Sequence, residues 1–167
     1  PHDFPYIESS NNKQECIEKN KLNIGVVLET KRNSNAHDDE SMGTEIICNA
    51  FNETHNIICL DEYVEDKNLP SIYNKNFNYT NFDELSSLIS GLDLVVAVDH
   101  IVAHIAGALN IDTILMLPCV PNWRWEITHR HTSPWYKSVT IYRQETPGDW
   151  ESVVKKVKAK IQGNNYV

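Results

Sequence analysis

The chain has 167 residues, of which 41% are hydrophobic and 23% charged, and its formal net charge is −8. This length and composition predict one soluble globular domain with a real core, and they exclude disordered and collagen-like chains. The acidic balance argues against nonspecific binding to nucleic acid, because phosphate backbones are held mainly by clustered lysines and arginines.

The cysteines and the apolar runs indicate the cellular setting. Cys16, Cys48, Cys59 and Cys119 are scattered without a metal-binding spacing, which predicts reduced thiols that are mostly buried. No apolar run is long enough for a transmembrane helix, and the first residues are not a signal peptide. We therefore expect a cytoplasmic location without membrane insertion.

The first third of the chain predicts a strand, a helix and a strand. Residues 1–21 are polar and irregular apart from a short helix predicted over 13–20, and they form a lead-in. Branched apolar residues at 22–29, LNIGVVLE, suit a strand that is covered on both faces. A polar loop follows at 30–41. A helix over 43–52 and a strand over 56–61, NIICLD, come next.

The remaining elements continue the alternation. After a polar connection with a short extended piece within 72–79, Asn81 is a candidate cap for a helix that stops at Gly91. The run 93–118, DLVVAVDHIVAHIAGALNIDTILMLP, predicts a strand, a helix of small residues and a strand. A further strand is expected over 138–145 and an amphipathic helix over 149–161.

Strands that alternate with helices predict a parallel sheet with right-handed crossovers. The expected fold is α/β, a Rossmann-like three-layer domain with a mainly parallel sheet. This domain would span residues 22–163, with a tail at 164–167.

The end of the strand before Asp99 is the first candidate site. Asp99 follows an apolar strand, so it lies at the carboxyl edge of the sheet, where open α/β folds bind ligands. The helix that follows offers backbone N–H groups and a positive dipole end to a phosphate. A simple capping role for Asp99 is also open and compatible with this one.

His100 and His104 lie one helical turn apart on this helix. As a metal pair they lack a third ligand in HIVAH, so no metal is expected. For His104 two interpretations stay open: a contact with the ligand, or a neutral histidine hydrogen-bonded inside the fold.

Two loops add candidate residues. Thr30, Lys31 and Arg32 leave the first strand at the same sheet edge, and their cations suit a diphosphate, whereas the acidic residues at 38–40 favour a solvated loop. Farther along, the sequence NWRW holds aromatic rings beside an arginine, and it either stacks on a base or sugar or anchors its loop on the core. Its candidate residues are Trp123, Arg124 and Trp125.

Other nucleotide and hydrolase motifs are missing. The chain has no GxGxxG after its first strand, no GxxxxGK[ST] and no GxSxG. A dinucleotide dehydrogenase, a P-loop nucleotide hydrolase and an ordinary serine hydrolase are therefore disfavoured.

Three stretches between Leu92 and Trp150 carry a family resemblance: DLVVAVDHIVAHIAGALNIDTILMLPCVPNWRW, SPWYKSVTIYRQ and PGDW. They resemble the carboxyl-terminal half of the heptosyltransferase-like GT-B glycosyltransferases, in particular the version at the end of bacterial tetratricopeptide-repeat proteins. The family pattern D-T-A-x-A-H corresponds to the residues from Asp99 to His104. Position 100 is threonine in that pattern and histidine here.

The resemblance implies one half of a GT-B enzyme, with an N-terminal domain or helical repeats upstream. This half would bind a nucleotide-sugar donor for hexosyl or heptosyl transfer to an unknown glycan or protein acceptor, without a metal or other cofactor. The implied donor-binding residues include Asp99, His100, Ile101, Val102 and His104, while the catalytic base would belong to the other half. The alternative is a noncatalytic, degenerate module of the same fold that binds a protein or a glycan.

Overall fold

In the part of the chain that the structure describes, five strands of four to six mostly apolar residues and one two-residue strand form a single sheet, and helices cover its two faces. The computed structural model describes residues 5–9, 16–28, 47, 50–52, 54–61, 75–76, 79–125 and 131–163. Within these ranges the strands are β1 Leu22–Val27, β2 His55–Cys59, β3 Lys75–Asn76, β4 Leu94–Ala97, β5 Thr113–Leu117 and β6 Val139–Arg143. The helices are α1 Phe82–Ile89, α2 Ile101–Ala108 and α3 Trp150–Gly163, together with a 3₁₀ turn at Trp123–Trp125.

The strand order in the sheet is β3-β2-β1-β4-β5-β6, and every neighbouring pair is parallel. This confirms the predicted Rossmann-like α/β fold. The chain order reverses between β1 and β4, which pair from Ile24 with Leu94 to Val27 with Ala97. A crevice forms beyond the carboxyl ends of strands at such a reversal, and Asp99 follows β4 at that point.

Both faces of the central strands are buried, which explains their unbroken apolar runs. On one face Ile24 and Val96 belong to a cluster that the apolar stripe of α3 completes. On the other face Val27 and Val95 pack with residues of α1 and α2. A Cβ at Gly25, within this second layer, would lie 2.6 Å from the end of the Leu92 side chain and 2.7 Å from that of Leu60, so both leucines would have to shift.

The structure confirms the predicted start of α1 and corrects its predicted end. Asn81 caps α1 as predicted, since its Oδ1 accepts from the Glu84 amide at 2.9 Å. The helix ends at Ile89 with Ser90 as its cap, and Gly91 does not adopt the positive φ of a glycine stop. The reason is that the chain turns here through ordinary αR geometry.

Two predicted helices lie partly outside the described residues. Residues 16–20 form turns instead of the end of a helix over 13–20, and 13–15 are not described. In the helix predicted over 43–52, Ile47 is helical and 50–52 are not, while the others are not described. The tail at 164–167 also lies outside the described ranges.

The lead-in packs against the domain at two places. Tyr6 donates its backbone N–H to the Ala108 carbonyl at 2.7 Å, at the end of α2. Near the amino ends of β1 and β2, the buried Asn23 donates to the Glu18 and Lys21 carbonyls, both at 3.1 Å. Its backbone N–H donates to Asp93 Oδ2 at 2.7 Å. These bonds fix residues 16–21 beside the sheet.

Three of the four cysteines lie among the described residues. Cys59 is buried and Cys16 and Cys119 are half-buried, while Cys48 is not among the described residues. In the described ranges, no helix has both the length and the apolar content that a bilayer crossing requires.

Candidate functional site

Asp99 lies two residues beyond the end of β4, and its side chain is only 9% exposed. Its Oδ1 accepts a hydrogen bond of 2.7 Å from the indole Nε1 of Trp125. Its Oδ2 is 3.7 Å from a guanidinium nitrogen of Arg124. The Trp125 indole and the Arg124 guanidinium therefore both face this carboxylate at the sheet edge.

The start of α2 faces the same edge, and His100 is its N-cap. The Nδ1 atom of His100 accepts from the Val102 amide at 3.3 Å, while the Ala103 amide donates to the His100 carbonyl at 3.1 Å. None of the described residues accepts a hydrogen bond from the Ile101 amide. One of the amides expected to face a phosphate thus already bonds to an imidazole, by a bond near the upper limit of length.

Ile101 and Val102 differ in how far their side chains are exposed to solvent. The Ile101 side chain is 42% exposed, whereas Val102 is fully buried in the core. Val102 can therefore reach a ligand only through its main chain.

His104 is half-buried one turn farther along α2. Its ring stacks on Trp125 with centroids 4.6 Å apart and planes 20° apart, and its Nδ1 is 3.2 Å from the Tyr136 hydroxyl. Burial lowers the pKa of His104, and the negative charge of Asp99 opposes that shift. The imidazole is neutral near pH 7 and is fixed by its neighbours, which agrees with a histidine hydrogen-bonded inside the fold. A contact of His104 with a ligand stays a prediction.

The 3₁₀ turn places the two tryptophans of NWRW in opposite environments. Trp125 is fully buried, whereas Trp123 is 76% exposed. Trp125 thus anchors the loop on the core, and its indole is not available to stack on a ligand. Trp123 and Arg124 lie at the surface beside Asp99.

Three aromatic residues of this region carry no candidate role in the sequence analysis. Tyr136 contacts His104, and the Tyr6 ring lies 6.2 Å from the Tyr136 ring in an edge-on arrangement. The Tyr6 hydroxyl donates to the Trp135 carbonyl at 3.0 Å, and Trp135 Nε1 donates to the Arg124 carbonyl at 2.6 Å. The sequence signal was the dipeptide Trp135-Tyr136 before a strand, within the SPWY of the family resemblance.

A second carboxylate lies at the carboxyl edge of the sheet. Asp61 follows β2, is 6% exposed, and accepts from the Leu28 amide at 3.2 Å. It fixes the chain directly after β1. The candidate residues of the next loop, Thr30, Lys31 and Arg32, lie outside the described residues.

No three His, Cys, Asp or Glu side chains of the described residues come together as a metal-binding group. A cleft of about 50 Å³ is lined by Leu94, Asp112 and Ser138 among others. It lies at the amino ends of β4, β5 and β6, opposite Asp99, and is far smaller than a nucleotide site of about 300 Å³ or more.

Comparisons with known proteins place the fold. Neither a protein-family model nor a curated protein matches the chain. E. coli heptosyltransferase WaaC with ADP-2-deoxy-2-fluoro heptose matches with a TM-score of 0.59 at 16% identity, over 86% of this chain and 44% of that one. WaaC with ADP gives 0.58 at 15% identity, over 87% and 45%. E. coli ADP-heptose lps heptosyltransferase II gives 0.56 at 12% identity, over 90% and 50%.

These structural neighbours show a shared fold. The chain spans half or less of the length of each heptosyltransferase that it matches. At identities this low the similarity concerns the fold alone. It confirms the heptosyltransferase-like fold expected from the sequence; the association with tetratricopeptide repeats stays a prediction.

Proposed function

We propose that this chain is the half of a GT-B glycosyltransferase that binds a nucleoside-diphosphate sugar, and that the whole enzyme transfers the sugar to an acceptor. The observation that carries the proposal is the turn from Asp99 to His104, where a helix begins at the switch point of a Rossmann-like sheet. The neighbours support it, since one was solved with ADP and another with an ADP-linked sugar.

In this proposal the donor diphosphate lies against the start of α2. The Ile101 amide, the helix dipole and His104 would provide neutral or partly positive groups. The Arg124 guanidinium would add a full positive charge. From the loop after β1, Thr30, Lys31 and Arg32 would approach the same anion.

Sugar hydroxyls and the base need different partners from the phosphates. Asp99 repels phosphate, but its carboxylate accepts hydrogen bonds from hydroxyl groups, so we assign it to the donor sugar. The exposed ring of Trp123 suits stacking on a sugar or a base. Trp125 supports this arrangement from the core.

The reaction requires a general base near the acceptor and groups that stabilise the leaving diphosphate. We propose that this chain supplies only the groups that stabilise the leaving diphosphate. The general base would come from an N-terminal domain or from helical repeats upstream of this chain. The cytoplasm is the proposed setting, which the scattered cysteines, without the spacing of a disulfide framework, suit.

A noncatalytic module for protein or glycan binding is the second candidate. It is favoured by the His100 imidazole, which occupies the Val102 amide, and by the proximity of Arg124 to Asp99. The first contact occupies an amide N–H group, and the second partly neutralises a positive charge. Both weaken the attraction of the site for an anion.

Calorimetry of the 167-residue chain with ADP, GDP and UDP separates the two candidates. The glycosyltransferase proposal expects a dissociation constant of about micromolar to millimolar for at least one of them. The variant D99N should change binding of the matching nucleotide sugar, whereas D112N, an exposed carboxylate before β5, should leave it unchanged. Absence of heat with all three nucleotides would favour the noncatalytic module.

A further inference from the structure

Seven residues around the candidate site form a closed ring of contacts. Asp99 bonds to Trp125, which stacks on His104; His104 contacts the Tyr136 hydroxyl, and Tyr136 meets Tyr6 edge-on. Tyr6 then bonds to Trp135, Trp135 to Arg124, and Arg124 returns to Asp99. The ring in order is Asp99, Trp125, His104, Tyr136, Tyr6, Trp135 and Arg124. Each member is thus positioned from two sides.

The contact between Tyr136 and His104 is the chemically informative one. The Tyr136 oxygen lies 3.2 Å from Nδ1 of His104, and the two rings meet edge-on at 5.9 Å and 69°. Trp125 covers one face of the imidazole. The ring therefore has one fixed orientation, with Nδ1 toward Tyr136 and Nε2 on the other side.

Hydrogen-bond satisfaction decides which group donates. Within the described part of the chain, His104 Nδ1 is the one hydrogen-bond partner of the Tyr136 hydroxyl. If Nδ1–H donated, the phenol proton of the half-buried tyrosine would face no acceptor there. If the phenol donates, its O–H and the Nδ1 lone pair satisfy each other, and the remaining imidazole proton is on Nε2, which is not among the buried atoms that lack a partner and is open to solvent or a ligand.

The protonation states agree with this assignment. Burial, with a further effect of the neighbouring Tyr6, raises the pKa of Tyr136, so the phenol keeps its proton. Burial lowers the pKa of His104, which keeps the ring neutral. Arg124 acts in the same direction on His104, and Asp99 acts against it.

We infer that Tyr136 is a positioning residue that fixes His104 as the Nε2–H tautomer. The ring then presents a hydrogen-bond donor, and not a lone pair, on the side away from Tyr136. Under the proposed function, on which this last step rests, that N–H donates to an oxygen of the donor diphosphate. An anion would be bound by a donor without the cost of protonating a partly buried imidazole.

The surrounding residues hold the tyrosine in place. A Cβ at Gly107 would lie 2.5 Å from the Tyr136 ring, so this glycine lets the ring lie directly on α2. Tyr6 supports the ring from the other side and is itself fixed by its N–H bond to Ala108 and its hydroxyl bond to Trp135. The lead-in therefore contributes to the position of His104.

The test is nitrogen NMR of the ¹⁵N-labelled chain, in which the two ring nitrogens of His104 are assigned above its pKa. We expect a proton on Nε2 and a hydrogen-bonded, unprotonated Nδ1. In Y136F the Nδ1 resonance should move to that of a free lone pair, and the His104 titration should move to higher pH, because a donor to the neutral form is lost. The control Y142F removes a hydroxyl from the opposite face of the sheet and should change neither.

A proton on Nδ1 in the unsubstituted chain would overturn the inference without any variant. Unchanged His104 resonances and titration in Y136F would overturn it as well. ADP binding is measured in parallel, and Y136F should weaken it about fivefold. If the NMR result holds while ADP does not bind the unsubstituted chain, the proposed function fails and the tautomer assignment stands.

Discussion

The indole nitrogen of Trp125 donates to Asp99 at 2.7 Å, while the face of the same indole packs on His104. One buried side chain therefore positions both the carboxylate beyond β4 and the imidazole of α2. The 3₁₀ turn that contains Trp125 therefore links the end of β4 to α2.

We predict that Trp125→Phe destabilises the protein by about 2–4 kcal/mol, because the change deletes a hydrogen bond to a mostly buried carboxylate and leaves a void. Trp123→Phe is the matched control at an exposed position and should stay within about 0.5 kcal/mol. Urea denaturation measures both. Equal effects of the two substitutions would contradict the anchoring role of Trp125.

A second prediction concerns Gly107. Alanine has the higher helix propensity, by about 1 kcal/mol, but its Cβ would lie 2.5 Å from the Tyr136 ring. We expect Gly107→Ala to destabilise the chain by about 1–3 kcal/mol, as overpacking does. Gly163, at the end of α3, has nothing within 4 Å of a Cβ.

The control Gly163→Ala should therefore be neutral or slightly stabilising. Thermal unfolding of the two variants, followed by circular dichroism, gives the comparison. A stabilised Gly107→Ala would show that Tyr136 is displaced without cost, and would weaken the case that its position is fixed.

The fold was accessible from the sequence because its signals are local. The unbroken apolar run over 94–98 predicts a strand buried on both faces, and Asn81 predicts a helix start; both agree with the structure. Gly107 shows the limit. Small residues on α2 suggested a close approach of the helix to the sheet or a ligand, but the neighbour that requires glycine is Tyr136, 29 residues farther along the chain.

The candidate site was predicted only in part for the same reason. Asp99 and His104 were placed by their position after a strand and on the following helix. Whether Trp125 or Trp123 faces the solvent cannot be read from NWRW, because that depends on how a 3₁₀ turn meets the core. The role of Tyr6 depends on a contact across 130 residues of chain, for which no sequence period exists.

The lowered pKa of His104 predicts a pH dependence of stability. In the unfolded chain the pKa is the ordinary 6.5, and burial lowers it in the fold. Below about pH 7 the unfolded state therefore binds more protons, so stability decreases as the pH falls through 6.5 and levels off below the folded pKa. Burial lowers the pKa of His55 as well, and it contributes in the same window.

The measurement is the urea midpoint at about pH 7.5 and about pH 5.5. His104→Gln should reduce the difference between the two values, because one titrating group is removed while His55 remains. His131→Gln is the control at an exposed histidine. An unchanged difference in His104→Gln would show that the ring is not desolvated in the fold.

The amino edge of the sheet gives a prediction that is independent of the site. The Asn23 amide bonds to Glu18, Lys21 and Asp93, and its oxygen accepts from Asn56 at 2.8 Å. Asn23→Ala removes these bonds and leaves buried groups unsatisfied, so we expect a loss of about 3–4 kcal/mol. Hydrogen exchange should also rise in residues 16–21.

Asn81→Ala serves as the comparison, because it deletes only a helix cap and should cost about 1 kcal/mol. Chemical denaturation ranks the two variants. A smaller effect at Asn23 than at Asn81 would mean that residues 16–21 are held by contacts other than this amide.

The last prediction concerns His100, whose imidazole competes with a ligand for the Val102 amide. Threonine stands at this position in the family pattern that the sequence resembles, and its smaller side chain also caps helices. If the proposed diphosphate site is correct, His100→Thr opens space at the start of α2, and ADP should bind more tightly, by about three- to tenfold. Calorimetry of the two chains with ADP, in the same buffer, gives the comparison.

The control is His131→Thr, which changes an exposed histidine beside β6 and should leave ADP binding unchanged. Because threonine retains a cap, the stability of His100→Thr should stay within about 1 kcal/mol of the original, so a change in affinity would report on the site itself. Weaker binding in His100→Thr would mean that the imidazole contacts the ligand and that histidine here is an adaptation of the donor site. Unchanged binding would place the diphosphate away from the start of α2 and contradict the proposed geometry.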